Sequence, residues 1–176
     1  IPNGPEDIHG TSMARGSSPG LWPGQVLDPN DKVVQTAFQR YYEKWIKPFR
    51  GAYFHQGRFW PYGFELAQCY TILGQRDITN EILRWHLQHQ TFPGVYSWAE
   101  QIDTTSLWFA AGDMPHCWVA ADFMNALRAC LLYEENDRVV IGAGIPKDWL
   151  RGGKNFSVEN APTFFGTLSY TVTVNP

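Results

Sequence analysis

Apolar residues in the middle of the chain recur every three to four positions, the spacing that places side chains on one face of an α-helix. The clearest stripe runs from Val33 to Ile46, where Asn30 or Asp31 can cap the start and Pro48 ends the helix. Similar stripes predict three further helices, over about 61–73, 77–92 and 114–134. Three residues, 74–76, separate the second helix from the third, so these two are predicted to form an antiparallel hairpin.

The period changes from helical to alternating after Asp137, which predicts strands at 139–141, near 156–158 and over 167–174. Five glycines and five prolines among residues 1–30 predict an irregular first segment. The pattern therefore predicts a mainly α chain with a C-terminal β part. Its expected divisions are an irregular segment at 1–30, helical hairpins at 31–135 and a β-strand module at 136–176.

Composition narrows the class of partner. Hydrophobic residues form 44% of the 176 residues and charged residues 18%, which is typical of a packed globular domain. A net charge of −3 and the lack of a basic stripe argue against nucleic-acid binding. No apolar run reaches the roughly 20 residues of a membrane span, and no targeting segment suggests a compartment. Because the sequence begins with Ile1 and not with Met, we expect a processed end or the second part of a longer chain.

Aromatic residues are abundant, at 15% of the chain with eight tryptophans. They can build a core from large side chains, or they can serve as platforms on which sugar rings stack. Composition alone favours the core.

The candidate chemistry rests on carboxylates among aromatic residues. Glycoside hydrolysis needs two carboxyl groups, one to protonate the leaving oxygen and one to activate water or attack carbon. Glu100 lies in a long aromatic loop between two predicted helices, a context that fits a general base, although a solvated loop glutamate explains the spacing equally well. Glu6 and Asp7, in a turn-rich acidic segment, are the in-chain candidates for the second carboxyl group.

Other residues around Glu100 are candidates for substrate contact. Asp113 is expected to be the N-cap of the fourth helix, with sugar binding as the alternative. Aromatic residues predicted to line sugar subsites are Trp60, Tyr96, Trp98 and Trp108. His86 and His89 share a helix face but lack companion ligands, so no metal is predicted, and no cofactor motif is present.

Two segments resemble a known family. The run Tyr96-Ser-Trp-Ala-Glu-Gln-Ile-Asp103, followed by Ala110-Ala-Gly-Asp-Met-Pro-His-Cys-Trp118, resembles the end of the barrel in six-hairpin glycosidases of the glucoamylase type. The C-terminal strands resemble the β-module of bacterial members, and the similarity covers roughly residues 50 to 174. The resemblance implies an (α/α)6-barrel, the role of an inverting general base for Glu100, and substrate contact for His116.

The resemblance also implies that part of the barrel is missing. A complete barrel of that type has about twelve helices, whereas the periodicity of this chain predicts four. Hairpins left open would expose apolar faces. We therefore expect association with a second copy of the chain, or with a missing N-terminal half of the same protein.

The leading functional hypothesis is an exo-acting glycoside hydrolase on α-linked glucosides or related oligosaccharides. The alternative from another class is a non-catalytic carbohydrate-binding or assembly module from a truncated barrel. A lyase or a phosphorylase on the same scaffold is a third possibility. None of these hypotheses requires a cofactor.

Overall fold

The computed structural model describes residues 17–175. In this part of the chain, five α-helices occur at Ser18–Leu21 (α1), Lys32–Trp45 (α2), Gly63–Ile72 (α3), Arg76–Gln88 (α4) and Cys117–Leu131 (α5). Eight strands occur at Phe54–His55 (β1), Arg58–Phe59 (β2), Gln101–Ile102 (β3), Phe109–Ala111 (β4), Leu132–Glu135 (β5), Arg138–Ile141 (β6), Asn155–Thr163 (β7) and Gly166–Thr173 (β8).

The expectation of a mainly α chain made of (α/α)6-barrel hairpins is wrong. The structure is mixed: 40% is helical, and 23% is strand in three small antiparallel sheets. The first sheet has the order β1-β2-β3-β4, and the other two are the hairpins β5-β6 and β7-β8. Sequence periodicity missed the first sheet because its strands are only two or three residues long, too short to show an alternating pattern.

Helix α3 is the central helix of the core. It packs against α1, α4 and α5, and almost every side chain along it is buried. Helix α2 is amphipathic, as the sequence predicts, and buries Val34, Ala37, Phe38 and Tyr41 on one stripe. The largest fully buried side chains are aromatic and include Trp98, Tyr41, Tyr53, Tyr70, Phe38 and Phe64. The aromatic richness of the chain therefore largely builds the core.

Local signals fix several helix ends where the sequence predicted them. The Asp31 carboxylate caps α2 by accepting a hydrogen bond from the Val33 N–H at 2.7 Å. Gly74, with φ of +72°, follows α3 in the left-handed conformation and allows the immediate turn into α4. Helix α5 ends earlier than predicted, because the chain enters β5 at Leu132 instead of continuing as helix to Glu134.

The two C-terminal hairpins differ in how they are held. Strand β5 is buried, and its Glu134 carboxylate receives two hydrogen bonds from Arg128 of α5, at 2.8 and 2.9 Å. The β7-β8 hairpin contains no fully buried residue and contacts the helices through few groups, such as the Tyr170 hydroxyl, which donates to the Leu131 carbonyl at 2.8 Å. Within the described residues, no helix is long and apolar enough to cross a membrane.

Candidate functional site

Two loop segments place Glu100 beside the residues that precede α5. The Glu100 N–H donates to the Asp113 carbonyl at 3.0 Å, and the His116 N–H donates to the Trp98 carbonyl at 3.0 Å. Segments 98–100 and 113–116 therefore run side by side, locked by backbone hydrogen bonds. This pairing brings together Glu100, Asp113 and His116, which the sequence predicted as site residues.

Gly112 lies directly against the Glu100 side chain. A Cβ added at Gly112 would meet the Glu100 Oε2 atom at 2.1 Å and its Cβ atom at 2.6 Å, and the φ of Gly112 is +80°. Both facts require glycine here, because any side chain would displace the carboxylate and strain the backbone. The close approach fixes one wall of the site.

Tyr62, immediately before α3, is the residue that sequence reasoning missed. It is buried, with 3% of its surface exposed. Its hydroxyl lies 3.4 Å from Glu100 Oε1 and 2.8 Å from His116 Nε2, so it bridges the two predicted residues. The run Trp60-Pro-Tyr-Gly before a buried helix was a visible signal, but nothing local indicated which loop it would meet.

His116 and Asp113 extend the chain of polar contacts. The His116 Nδ1 atom lies 3.9 Å from Asp113 Oδ2, and 84% of the Asp113 side chain is exposed compared with 13% of the His116 side chain. Asp113 is not the N-cap of the last helix, as predicted from sequence. Helix α5 begins at Cys117 with His116 at the N-cap position, because backbone pairing with Glu100 keeps Asp113 outside the helix.

Aromatic rings surround the Tyr62 side chain. The Trp60 ring lies nearly parallel to it, at 5.9 Å and 24°, and Trp118 meets it edge-on at 5.7 Å. Trp60 is half-buried and its Nε1–H donates to the His55 carbonyl at 2.8 Å, whereas 57% of Trp118 is exposed. Trp60 was predicted as a subsite residue from the sequence, whereas Trp118 was not.

The other predicted subsite residues lie elsewhere. Trp98 is 1% exposed, packs against Phe64 at 4.8 Å and donates from Nε1 to a backbone carbonyl, so its face is not open to a sugar. Tyr96 is exposed and stacks on Phe123 at 5.9 Å. Trp108 is 48% exposed and contacts Phe92 edge-on. The ring contacts of Tyr96 and Trp108 are with Phe123 and Phe92, and not with Tyr62.

The predicted second carboxyl groups, Glu6 and Asp7, lie outside the described residues. Two carboxylates outside the predicted set, Glu65 of α3 and Asp122 of α5, both act on the buried Cys69 thiol. Burial, together with the charges of Glu65 and Asp122, raises the pKa of the Cys69 thiol well above its usual value. Glu65 is half-buried and accepts a hydrogen bond from the Ser18 hydroxyl.

The described residues contain no group of three histidine, cysteine or carboxylate side chains that could hold a metal ion. His86 and His89 instead bond to their own helix. Their Nδ1 atoms lie 2.8 Å and 2.7 Å from the carbonyls of Ile82 and Trp85. These contacts give both rings structural roles in α4.

Comparison with known proteins adds no relative. No family model matches the chain. No curated protein and no solved structure matches it significantly. The likeness of residues 96–118 to six-hairpin glycosidases therefore stays a prediction from sequence.

Proposed function

We propose that the chain is a glycoside hydrolase in which Glu100 is the general base. The observation that carries the proposal is the setting of the Glu100 carboxylate. It is half-buried, fixed by a backbone bond to Asp113, and pressed on one side by Gly112. A base that activates water needs this combination of fixed geometry and remaining access to solvent.

The aromatic surroundings support a sugar substrate. Trp118 presents a largely exposed indole beside Tyr62, and the Trp60 ring stacks on the same tyrosine. Indole faces bind the C–H faces of sugars while the nearby polar groups, here Asp113 and His116, can meet hydroxyl groups. An oligosaccharide or glycoside is the substrate class that fits this mixture.

The chemistry also needs a general acid. The two carboxyl groups of an inverting glycosidase stand about 6.5–9.5 Å apart, with water between them. In this proposal Glu6 or Asp7, or a carboxylate of a second chain, supplies the proton to the leaving oxygen. We do not assign that role to Asp113, because 84% of its side chain is exposed to solvent.

One observation favours the alternative, a carbohydrate-binding module without turnover. Glu100 does not line any of four clefts of about 390 to 710 Å³ that the described residues form. A carboxylate on an open surface can hold a sugar without enclosing a transition state, since enclosure strengthens electrostatic stabilisation.

The test is Glu100→Gln, assayed on a panel of nitrophenyl glycosides and oligosaccharides. We expect turnover to fall by about 10²–10⁴-fold, the usual contribution of a general base. Glu81→Gln is the matched control, because Glu81 also accepts a hydrogen bond from a tyrosine, Tyr42, but lies in α4. Its turnover should equal that of the wild type.

The outcomes separate the two functions. Full activity in Glu100→Gln would overturn the role of Glu100 as base. Sugar binding by calorimetry in the wild type, with no turnover of any substrate and equal binding by Glu100→Gln, would favour the binding module.

A further inference from the structure

An apolar cleft of about 390 Å³ lies between α4, α5 and the segment that follows β6. Glu100, Tyr62 and His116 do not line it. Its walls are mostly aliphatic side chains together with one indole: Leu83, Leu87, Leu127, Leu131, Ile145 and Trp149. A cleft of this size and lining is typical of a binding site for a small apolar ligand.

Hydrogen bonds fix the segment that forms one wall of the cleft. The Asn80 Nδ2–H donates to the Gly144 carbonyl at 3.1 Å, and the Arg76 Nε–H donates to the Ala143 carbonyl at 3.1 Å. On the other side, the Gly144 N–H donates to the Cys130 carbonyl of α5 at 3.2 Å. Because this segment is joined to both helices, the cleft is preformed, and binding needs little further ordering of the chain.

The cleft leaves apolar surface open to a ligand. Ile145 and Leu83 are buried, but 46% of Trp149 is exposed. Leu87 and Leu127 are only partly buried against the core. A ligand that covers these side chains removes apolar area from water, which favours binding.

Arg84 places a positive charge at the rim of the cleft. Its side chain is exposed, and it lines both this cleft and a second one of about 710 Å³. Asn80, Pro146 and Asp148 also line both clefts, so Arg84 lies where the two meet. A guanidinium group beside apolar surface is suited to the head group of an anion, since it binds carboxylates through two parallel hydrogen bonds.

The other charged side chains of the two clefts are largely engaged with one another. Two ion pairs involve them, Lys147 with Asp77 at 2.9 Å and Arg151 with Asp148 at 3.8 Å. The third carboxylate, Glu81, accepts a hydrogen bond from Tyr42 at 2.8 Å. Within residues 17–175, Arg84 and Arg50 have no ion-pair partner. The region where the clefts meet is therefore locally cationic, on a chain whose net charge is −3.

We propose that the apolar cleft binds a small amphiphile of the alkyl carboxylate class, with one apolar chain and one anionic head group. The chain of the ligand lies against Leu87, Leu127 and Trp149. Its carboxylate lies at the rim and accepts hydrogen bonds from Arg84. The binding is non-covalent, and it does not depend on the proposed hydrolase activity.

The first measurement is calorimetric titration of the full chain with decanoate, octanoate and hexanoate, each below its micelle-forming concentration. We expect the affinity to rise by about fourfold for each added methylene group, the usual effect of burying one methylene. Decanol is titrated in parallel, because it has the same chain without the charge. This series uses the wild-type protein alone, so it does not depend on the folding of a variant.

The variants test the two ends of the ligand separately. Arg84→Gln should weaken the binding of decanoate by about tenfold and leave the binding of decanol unchanged. Arg40→Gln is the matched control, because it removes an exposed arginine of α2 that does not line the cleft.

Trp149→Ala should weaken the binding of decanoate and of decanol alike. Phe165→Ala is its control, because Phe165 is 57% exposed and does not line the cleft. Circular dichroism verifies that each variant is folded.

Four results would overturn the proposal. They are no binding of decanoate, an affinity that does not change with chain length, equal losses in Arg84→Gln and Arg40→Gln, or equal losses in Trp149→Ala and Phe165→Ala. Light scattering covers a further alternative. A wild-type dimer that Trp149→Ala dissociates, with no decanoate bound, would assign the cleft to a second copy of the chain and also overturn the proposal.

Discussion

The molecule contains two tyrosine–glutamate pairs that differ in their third partner. Tyr42 of α2 donates to Glu81 of α4 at 2.8 Å, and burial followed by this hydrogen bond raises the pKa of Tyr42 to about 12. Tyr62 reaches Glu100 only at 3.4 Å because His116 holds its hydroxyl at 2.8 Å. The first pair is a complete bond that joins two helices. In the second pair, the tyrosine hydroxyl contacts both Glu100 and His116, and its contact with the Glu100 carboxylate is the longer one.

A carboxylate beside a tyrosine does not by itself indicate a functional site, since both pairs have one. What distinguishes Glu100 is that the Tyr62 hydroxyl beside it also lies within hydrogen-bond distance of His116, while Gly112 and Asp113 fix the position of Glu100. Glu81 accepts a hydrogen bond from Tyr42, and this bond joins the regular helices α4 and α2.

The largest effect is expected from Gly112→Ala, compared with Gly94→Ala. The two glycines have nearly equal φ, +80° and +81°, but a Cβ at Gly94 would meet nothing within 4 Å. Both variants strain the backbone, and only Gly112→Ala displaces Glu100. We expect Gly112→Ala to lose turnover and to lower the free energy of unfolding by about 1–3 kcal/mol more than Gly94→Ala, measured by urea denaturation. Equal losses in both would show that the contact with Glu100 has no energetic consequence.

A comparable effect is expected on acidification, through His86. This ring is fully buried beneath Gly63, and burial lowers its pKa to about 4. The unfolded chain takes up this proton near pH 6.5 and the folded chain only near pH 4, so stability should fall as pH falls through that window. The loss is on the order of 3 kcal/mol.

Urea denaturation at pH 7 and pH 4.5 measures this loss. His86→Gln should reduce it. A wild-type stability that is equal at both pH values would refute the role assigned to His86.

The smallest effects on stability are expected from the two tyrosine variants. Here the structural pair of Tyr42 and Glu81 should lose more stability than the pair of Tyr62 and Glu100 in the site. Tyr42→Phe removes a complete hydrogen bond to a charged group and should lower the free energy of unfolding by about 1–2 kcal/mol without affecting sugar turnover. Tyr62→Phe should cost less stability, about 0.5–1 kcal/mol, because its short contact, at 2.8 Å, is with a ring nitrogen of His116, and its contact with a carboxylate is long, at 3.4 Å. Thermal and urea denaturation of both variants test this. A larger loss in Tyr62→Phe would mean that the shared hydroxyl is the stronger structural contact.

Helix periodicity predicted most of the helices but led to the wrong fold class, mainly α instead of mixed α and β. The stripe of Val34, Ala37, Phe38 and Tyr41 identifies α2, and alternation identifies β8, because each of these segments is long enough to show its period. The sheet β1-β4 has no such signal: Phe59 pairs with Ile102 across 43 positions of sequence (102 − 59). Strands of two residues are created by that tertiary pairing, which is why a mixed fold looked mainly helical.

The sequence predicted only part of the candidate site, because only some of its residues lie close together along the chain. Glu100 and His116 stand in one continuous stretch, so a single motif could suggest both. Tyr62 joins them only because α3 packs against α5 and brings its first turn to the loop. Trp98, two residues before Glu100, shows the converse: its indole turns into the core against Phe64, which no local pattern reveals.

The sequence by itself determined the helices α2 to α4, the caps at Asp31 and Gly74 and the long C-terminal strands, because these depend on spacing along the chain. It also suggested Glu100 as a catalytic carboxylate, which stays a prediction. Tertiary structure alone decided which aromatic residues face solvent, that Asp113 lies outside α5, and that Tyr62 shares its hydroxyl between Glu100 and His116. Such features depend on how closely segments that are remote in sequence approach one another, and only packing of the whole chain sets those distances.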